Sequence, residues 1–550
     1  MSKEQVQQTQ VLIAGGGPVG LTLANVLGAY GIACVVVERN QTTTRHPKMD
    51  ITNGRSMELF RRLGLVGDLR KAAVPESHPF DVAWITSFAG HELHRFRYPS
   101  VDAAREIIRA TNDGTQSREP AMRVSQVEIE PVLRRAAEQR PTVDVRFGLG
   151  FEDFSEGDGF IEATLRETAS GHTQTVRCDY LIGCDGGGSR VRQLLDIGLE
   201  GTYRVAERFM VHFRSNALDV LQRWGIAWHY QSAFGTLVAQ NDRDIWTFNA
   251  RLDLMAPNSV ANPSSFLKRF CGADFPHDVL VANGWTPHLL LADAYGRGRV
   301  FLAGDAVHQY IPTGGYGMNT GIADAVDLGW KLAATLKGFG GPRLLRSYES
   351  ERRPVGLRNR EASSRHTQVR LAVAQAYGDL STEPTAAQCA EIGARIEQLG
   401  NAENESFGIE FGYAYNQSEI VAAAPAADYP ADPVRYHPTT LPGVRLPSTF
   451  RKDGTALFDH LGEWFTLIDF GSGDRDAFAA AAKKMDVPLA VLAIDEPELE
   501  RVYGKSMILV RPDQHIAWCG PSNVAADAEQ ILRRALGWAV QNLTSASFAR

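Results

Sequence analysis

Short apolar runs alternate with helical periodicities along most of the chain. Val11-Leu12-Ile13-Ala14 predicts a buried strand, and Val35-Val36-Val37 a parallel neighbour that ends at Glu38. Between them Pro18 suits a first helical turn, where its missing N–H costs nothing. Residues 55–71 and 126–138 carry apolar positions three and four apart (Met57, Leu59, Phe60, Leu63; Ile129, Val132, Leu133, Ala136) and predict helices. Residues 142–184 alternate polar and apolar and predict strands, closing with Tyr180-Leu181-Ile182-Gly183. Residues 205–290, rich in aromatic and β-branched side chains, predict a second sheet. Val300-Phe301-Leu302-Ala303 predicts one more buried strand, followed by a Gly-rich turn and a helix running to about Leu336. The Pro/Ala-rich stretch 421–446 reads as a linker. After it, strands are expected at 463–470, 489–494 and 506–518, and helices at 474–485 and 524–537.

Composition narrows this picture. At about 150 residues per domain, 550 residues predict three to four domains. Lys+Arg is 57 against 64 Asp+Glu, a formal charge of −7, which argues against nucleic acid as a main partner. Hydrophobic residues at 44% and charged residues at 22% exclude wholesale disorder. The cysteines Cys34, Cys178, Cys184, Cys271, Cys389 and Cys519 are scattered without a CxxC pair or a Cys/His cluster. That spacing predicts reduced thiols and no metal site. Val11 to Val37 is nearly uncharged and long enough for a membrane span. Gly15-Gly16-Gly17-Pro18, Gly28 and Gly31 interrupt it, so strand, turn, helix and strand explain it better. Met1 to Gln10 holds one Lys and one Glu, which argues against a signal peptide. A cytoplasmic protein with no membrane partner is expected.

Much of the glycine falls in three clusters, each after an apolar strand. The first is Gly15-x-Gly17-x-x-Gly20, between a strand and a helix, with Glu38 closing the next strand. Glycines there let the backbone approach a pyrophosphate, the helix N-terminus offers free N–H groups, and Glu38 suits ribose hydroxyls. The second is Asp185-Gly186-Gly187-Gly188-Ser189-Arg190-Val191-Arg192. The third is Gly304-Asp305-Ala306-Val307-His308, continued by Pro312-Thr313-Gly314-Gly315-Tyr316-Gly317-Met318-Asn319. An Asp before a Gly turn suits a polyhydroxyl chain. It equally suits an ordinary helix cap.

In this order the clusters resemble the FAD-dependent aromatic hydroxylases, the single-component class A flavoprotein monooxygenases, over about residues 10–360. The resemblance implies that Gly15, Gly17, Pro18 and Gly20 hold the ADP half of FAD. Asp185 falls in a motif associated with both FAD and the nicotinamide donor, Gly304 and Asp305 meet the ribitol, and His308 is structural. Ser125-Gln126 with Glu130 is similar to the family's SQxxLE helix start, which puts Gln126 near the flavin sugar or phosphate; Ile129 takes the Leu position. Gly315, Gly317, Met318 and Asn319 would present a helix N-terminus to the flavin N1–C2=O edge, where reduced flavin carries negative charge. Pro312 would sit above the flavin near the oxygen site. Arg39 and Lys48 either contact the adenosine or phosphate region or are solvated charges.

His46-Pro47-Lys48-Met49-Asp50-Ile51-Thr52-Asn53-Gly54-Arg55-Ser56-Met57-Glu58 resembles the phenol, chlorophenol and hydroxybiphenyl hydroxylase branch. So do Phe411 to Tyr415, His437-Pro438-Thr439-Thr440, and Arg511-Pro512-Asp513-x-His515-x-Ala517-Trp518. The branch implies a flavin C4a-hydroperoxide formed with O₂ and NADPH or NADH, attacking a small phenolic substrate. Asp50 stands where that branch often carries His. It is the candidate base for the phenol, or else it only bonds a backbone turn. Trp228 and His229 either line the aromatic pocket or belong to the core.

The expected fold is α/β. A Rossmann-like FAD-binding domain (1–200 and 291–360) is interleaved with a mixed-sheet substrate domain (201–290). A helical connection and linker follow (361–440), then a thioredoxin-like C-terminal domain (441–550) lacking CxxC. That last unit is expected to serve packing or oligomerisation, a homodimer being compatible. The rival activities are hydroxylation, epoxidation or Baeyer–Villiger oxidation of a polycyclic natural product. A non-catalytic flavin-fold binding protein is the remaining reading, and the intact DGxxSxVR turn argues against it.

Overall fold

A computed structural model of the chain describes residues 7–241, 243–252, 262–377, 384–422, 429, 432–471, 474–521 and 524–539. Val11, Leu12, Ile13 and Ala14 are all fully buried. A strand covered on both faces reads as a continuous apolar run, which is why this one was legible. It belongs to the strand Gln7–Ala14, inside an eight-stranded sheet. Val300–Leu302, Thr173–Gly183, Gln7–Ala14, Cys34–Glu38 and Val143–Phe147 run parallel in that spatial order. Leu149–Glu156 and Ile161–Glu167 extend the sheet antiparallel from Thr173–Gly183. The helix Pro18–Ala29 joins Gln7–Ala14 to Cys34–Glu38, and the helices Gln126–Glu138 and Tyr316–Leu336 pack against it.

The register decides where a ligand can bind. Ala14 lies beside Gly183, and Gly183 beside Leu302, so three adjacent parallel strands end level with one another. Cys184 N–H donates to Ala14 O (2.7 Å), Ala303 N–H to Gly183 O (3.0 Å) and Gly15 N–H to Val37 O (2.8 Å). The three glycine clusters, distant in sequence, therefore leave the sheet side by side. In open parallel sheets the carboxyl ends of the strands form the ligand crevice.

The second sheet has seven strands: Asp278–Trp285, Arg208–Arg214, Ile245–Arg251, Gly235–Ala239, His229–Ser232, Val82–Ile85 and Glu92–Phe96. Its last two strands come from the N-terminal half of the chain, outside the 205–290 stretch that predicted this sheet. The expected helical stretch 55–71 is two helices, Gly54–Arg62 and Val66–Ala72, because Gly64 turns the chain at φ +77°.

Part of the expected 421–446 linker, at 423–428 and 430–431, lies outside the described residues. Its far end is not a free tether: Val444, Arg445 and Leu446 are buried. The C-terminal unit is a four-stranded sheet ordered Leu489–Ala493, Phe465–Asp469, Met507–Val510, Ile516–Gly520, with the helices Arg475–Lys484 and Ala528–Ala535 packed together beside it. One parallel and two antiparallel pairings give it the expected thioredoxin-like layout. The single strand expected at 506–518 is a hairpin, broken where Gln514 adopts φ +66°. Among the described residues no helix is long and apolar enough to cross a membrane.

Candidate active site

The first glycine turn is shaped around close backbone approaches. A Cβ on Gly15 would lie 2.3 Å from Cys184 O, and one on Gly20 would lie 2.0 Å from Gly15 O. A Cβ on Gly17 would meet nothing within 4 Å, so the open side of the turn lies there. Gly17 caps the helix Pro18–Ala29 without a side-chain hydrogen bond, leaving first-turn amides for a ligand. Glu38 folds onto this turn: its Oε2 accepts Gly16 N–H at 2.9 Å, and its Oε1 accepts Asn40 N–H at 2.9 Å. Arg39 stays at the surface, its carbonyl accepting Thr168 Oγ1. Lys48 is exposed too, and its charge reaches both Glu130 and Asp305.

The second cluster is stitched internally. Asp185 accepts Ser189 Oγ–H (2.5 Å) and the amides of Arg190 (2.7 Å) and Val191 (3.2 Å). Its carboxylate thus caps the short helix Arg190–Leu194. Arg192 donates to Gly187 O and to Ala306 O, joining the second cluster to the third.

In the third cluster Asp305 is exposed although ringed by protein. Burial pushes its carboxyl up, while His308 and Lys48 pull it back. His308 Nε2 and the Gly304 amide converge on Asp324 Oδ2, and Arg352 holds Asp324 Oδ1. His308 is fully buried in this latch, in keeping with a structural part. Gly315, at φ +65°, caps the helix Tyr316–Leu336, which starts two residues before the expected Met318 and has no acidic first turn. Pro312 is exposed, and its carbonyl accepts Gly315 N–H. Asn319 Nδ2 donates to Gly315 O (2.7 Å) and Ile51 O (3.1 Å), and its Oδ1 accepts Asn53 N–H (3.0 Å). One side chain thereby clasps the Asp50 segment to the helix N-terminus. The same segment is held on its other side, where Val124 N–H donates to Asp50 O and Gln126 N–H to Met49 O. Gln126 spends its side-chain amide on Glu130 (2.7 Å).

The structure joins Asp50, the candidate base, to Trp228 and His229, the candidate pocket pair. Trp228 Nε1–H donates to Asp50 Oδ2 at 2.8 Å, and His229 Nε2 lies 3.0 Å from the same oxygen. The indole and imidazole pack with centroids 4.0 Å apart. Burial pushes Asp50 up, but the His229 hydrogen bond and charge, the Trp228 N–H and the Arg123 charge outweigh it and hold the carboxyl below its ordinary range. Sequence reasoning missed the flanking groups Gln231, Arg370 and Glu403. Arg370 pairs with both Glu403 oxygens (2.7 and 2.5 Å), and Gln231 Nε2 donates to Glu403 Oε1 (3.3 Å). No local motif marks Arg370 or Glu403; only the fold brings them to Gln231.

The residues fit a dinucleotide flavin. A glycine turn without Cβ atoms lies at an uncapped helix end, and a second uncapped helix N-terminus, clear of acidic residues, faces the same strand ends. These two ends suit a pyrophosphate and an anionic ring edge. Comparison with known families decides the matter. Residues 8–363 match the FAD binding domain model, and residues 439–539 match the aromatic-ring hydroxylase C-terminal model.

The chain belongs to the FAD-dependent aromatic-ring hydroxylases.

This hydroxylase is 37% identical to the FAD-dependent monooxygenase apdD of Emericella nidulans, over 99% of this chain and 92% of that one. It is 30% identical to the 2,4-dichlorophenol 6-monooxygenase of Cupriavidus pinatubonensis, over 96% of each chain. The solved structure of RebC with bound 7-carboxy-K252c superposes with a TM-score of 0.87 at 32% identity, covering 97% of this chain and 100% of that one. FAD is the hydroxylase's cofactor, and NAD(P)H is the co-substrate typical of the family. Gly15, Gly17, Pro18 and Gly20 are the residues that would hold the pyrophosphate, Gly304 and Asp305 the ribitol, and Gly315 to Asn319 the ring edge.

Proposed function

We propose that this hydroxylase inserts one oxygen atom of O₂ into an aromatic ring that already carries a hydroxyl group. The observation that carries the reading is the Asp50–His229 pair beside Trp228, with Asp50 on the segment that Asn319 clasps to the helix N-terminus. Bound FAD supplies O₂ activation with electrons from NAD(P)H. The chain's own residues supply the rest. A free phenol has a pKa near about 10, so ionising it at pH 7 costs about 4 kcal/mol. A group that takes the proton at the site offsets much of that. The indole of Trp228 offers the ring a flat apolar neighbour, and the amides of the helix Tyr316–Leu336 offer donors to developing negative charge.

A second reading concerns the scaffold and is favoured by the comparisons. ApdD is more similar to this chain than the dichlorophenol enzyme is, and RebC, which superposes over 97% of this chain, is seen with 7-carboxy-K252c. On that reading the hydroxylated ring is part of a larger natural product. One assay tests both. The FAD-loaded enzyme is given single-ring and fused-ring phenols, and NAD(P)H oxidation and ¹⁸O incorporation from ¹⁸O₂ are measured. Faster oxidation with a labelled product supports the proposal, and the responding ring size selects the scaffold. A panel that neither speeds oxidation nor gains label refutes it.

A further inference from the structure

An open cavity of about 450 Å³ lies where the C-terminal domain meets the helices Gly54–Arg62 and Val101–Thr111. That volume falls within the range of about 300–1,000 Å³ usual for small-molecule pockets. Arg61, Arg105, Arg109 and Arg118 line it against two carboxylates, Glu119 and Asp459. The arginines are unequally engaged. Arg61 holds Asp459 through Nε and Nη2 (2.7 Å each) and Glu119 through Nη1 (2.9 Å). Arg105 is spent on Glu76, through two bonds of 2.7 and 2.6 Å. Among the described residues, the guanidiniums of Arg109 and Arg118 have no hydrogen-bonded carboxylate. Glu119 Oε1 stands 3.8 Å from Arg118 Nη1, beyond hydrogen-bond reach, and already accepts Arg61. Burial and the like charges of Arg61 and Arg109 hold Arg118 below its ordinary value, more than Glu119 and Asp459 restore. Arginine stays charged regardless, so the crowding is one that an anion relieves. The apolar part of the cavity is Ile108 and Phe450, and Arg118 lies over the Phe450 ring at 5.1 Å. A Cβ on Gly64 or Gly67, both in the wall, would meet nothing within 4 Å. The site is separate from the Asp50 segment: Arg61 is eight residues beyond Asn53, about 12 Å along the helix.

We infer that this cavity is a second small-molecule site of the hydroxylase, and that it takes a phosphate monoester carrying a flat ring. Two guanidiniums without a hydrogen-bonded carboxylate call for two negative charges, and a phosphate monoester carries close to two at neutral pH. The guanidinium fork matches phosphate oxygens in pairs. A bare phosphate would leave the Ile108 and Phe450 side of the cavity unfilled. A flat ring fills it, stacking beside the Arg118–Phe450 pair. Glu119 and Asp459, both held by Arg61, turn the phosphate toward Arg109 and Arg118. The ligand would then bridge the helix Val101–Thr111, through Arg109, to the C-terminal domain, through Phe450.

The test is isothermal titration of the FAD-loaded enzyme, whose own adenosine site is filled, with 5′-AMP, inorganic phosphate and adenosine at low salt. 5′-AMP is expected to bind at one site per chain, at least about tenfold tighter than either fragment. Arg109→Ala and Arg118→Met should each weaken 5′-AMP by about tenfold, the order of one charge-assisted contact. Arg109 is exposed, so its variant tests the site without threatening the fold; FAD content and circular dichroism check both variants. No binding of 5′-AMP, adenosine binding as tightly as 5′-AMP, or wild-type affinity in both variants overturns the inference. Steady-state kinetics then separate two sources of the same chemistry. If 5′-AMP competes with NAD(P)H and Arg109→Ala abolishes the competition, the occupant is a phosphate of the co-substrate. If 5′-AMP binds at the arginines and leaves the KM for NAD(P)H unchanged, the occupant is a free phosphate ester. Either result upholds the site.

Discussion

Arg511, in the C-terminal domain, places its Nη2 2.9 Å from Asp327 Oδ1, in the middle of the helix that begins at the third glycine cluster. The contact is part of a buried network. Arg511 also pairs with both oxygens of Glu351 (2.7 Å each) and with Asp513 (2.7 Å), and Lys331 bridges Asp327 (2.7 Å) and Glu351 (2.6 Å). A second bridge lies nearby, where Arg445 holds Glu58 through two bonds. Arg55 donates to Asp513 O and Gln514 Oε1. The segment that carries Asp50 also carries Arg55 and Glu58, so the C-terminal domain braces the segment that forms the candidate active site.

Removing one partner of a buried network leaves charges uncompensated, at a cost of about 3–5 kcal/mol. Arg511→Met should therefore destabilise the whole chain by that order, read as a lower urea midpoint. Adding Glu351→Gln to that variant should recover part of the loss. If Arg511→Met unfolds like the wild type, the network does not hold the domains together.

The same network predicts a pH dependence. Burial pushes Asp327 up to about 8, against the pull of Lys331 and Arg511. The sign follows from proton counting. Between the ordinary carboxyl value and about 8 the folded chain binds a proton that the unfolded chain does not, so this group's contribution to stability falls as pH rises. Glu351, lowered to about 2 by Arg511 and Lys331 despite its burial, acts oppositely, and its contribution is lost as pH falls below its ordinary value. Asp327→Asn should flatten the decline of Tm between pH 5 and 8, measured by calorimetry. An equally steep decline in the variant would show that Asp327 is not the group responsible.

The contrast between Asp185 and Arg511 shows what a linear reading reaches. The three glycine clusters were legible because each sits at a strand end, where the physics of turn, helix start and close approach is local. The roles inside them were less so. The sequence left Asp185 between cofactor ligand and helix cap, and in the structure its carboxylate is taken up by Ser189 and two amides. The two strands at Val82–Ile85 and Glu92–Phe96 were not legible, because they complete a sheet whose other members lie more than a hundred residues on. Arg370–Glu403 and Arg511–Glu351 are pairings between distant elements, and neither residue type nor spacing marks them. Arg511 and Asp513 were visible only as part of a resembling motif, whose physical content is this buried bridge.

Gly315 tests the link between the helix N-terminus and the Asp50 segment. A Cβ there would stand 2.4 Å from Ile51 Cγ2, at a backbone φ of +65° that costs an L-residue about 1–2 kcal/mol. Gly315→Ala should weaken FAD binding by about tenfold or more, measured by flavin fluorescence quenching. Gly31→Ala is the control: its φ is +70° but its Cβ would meet nothing. It should share the backbone strain and keep the wild-type FAD affinity. Wild-type FAD affinity in Gly315→Ala, or an equal loss in both variants, would mean that the Ile51 contact is not what matters.

Cys519 bears on the chemistry of the C-terminal domain. It is the one cysteine in 441–550, its Sγ lies 3.2 Å from Thr440 O, and burial pushes its thiol up to about 11. A thiol held protonated is a poor nucleophile. Cys519→Ser should keep kcat within about twofold and should respond to dithiothreitol as the wild type does. A redox-dependent change in turnover that the variant abolishes would assign the domain a thiol function.

Asn319 should couple flavin to substrate. Its side chain satisfies Asn53 N–H, Ile51 O and Gly315 O at once, and an alanine leaves all three without that partner. These groups are half-buried, so water can replace part of each lost bond, but the segment beside Asp50 is then free to move away from the helix end. Positioning errors of about 1 Å cost far more in reaction rate than in ligand affinity. Asn319→Ala is therefore expected to retain FAD while wasting reducing equivalents. Product per NAD(P)H consumed should fall by about tenfold, with hydrogen peroxide making up the difference in a peroxidase-coupled assay. Asn319→Asp keeps the acceptor for Asn53 N–H but loses both donors and brings negative charge to a helix N-terminus, so it should recover only part of the coupling. If coupling stays at the wild-type level in the alanine variant, the clasp is not what positions the ring.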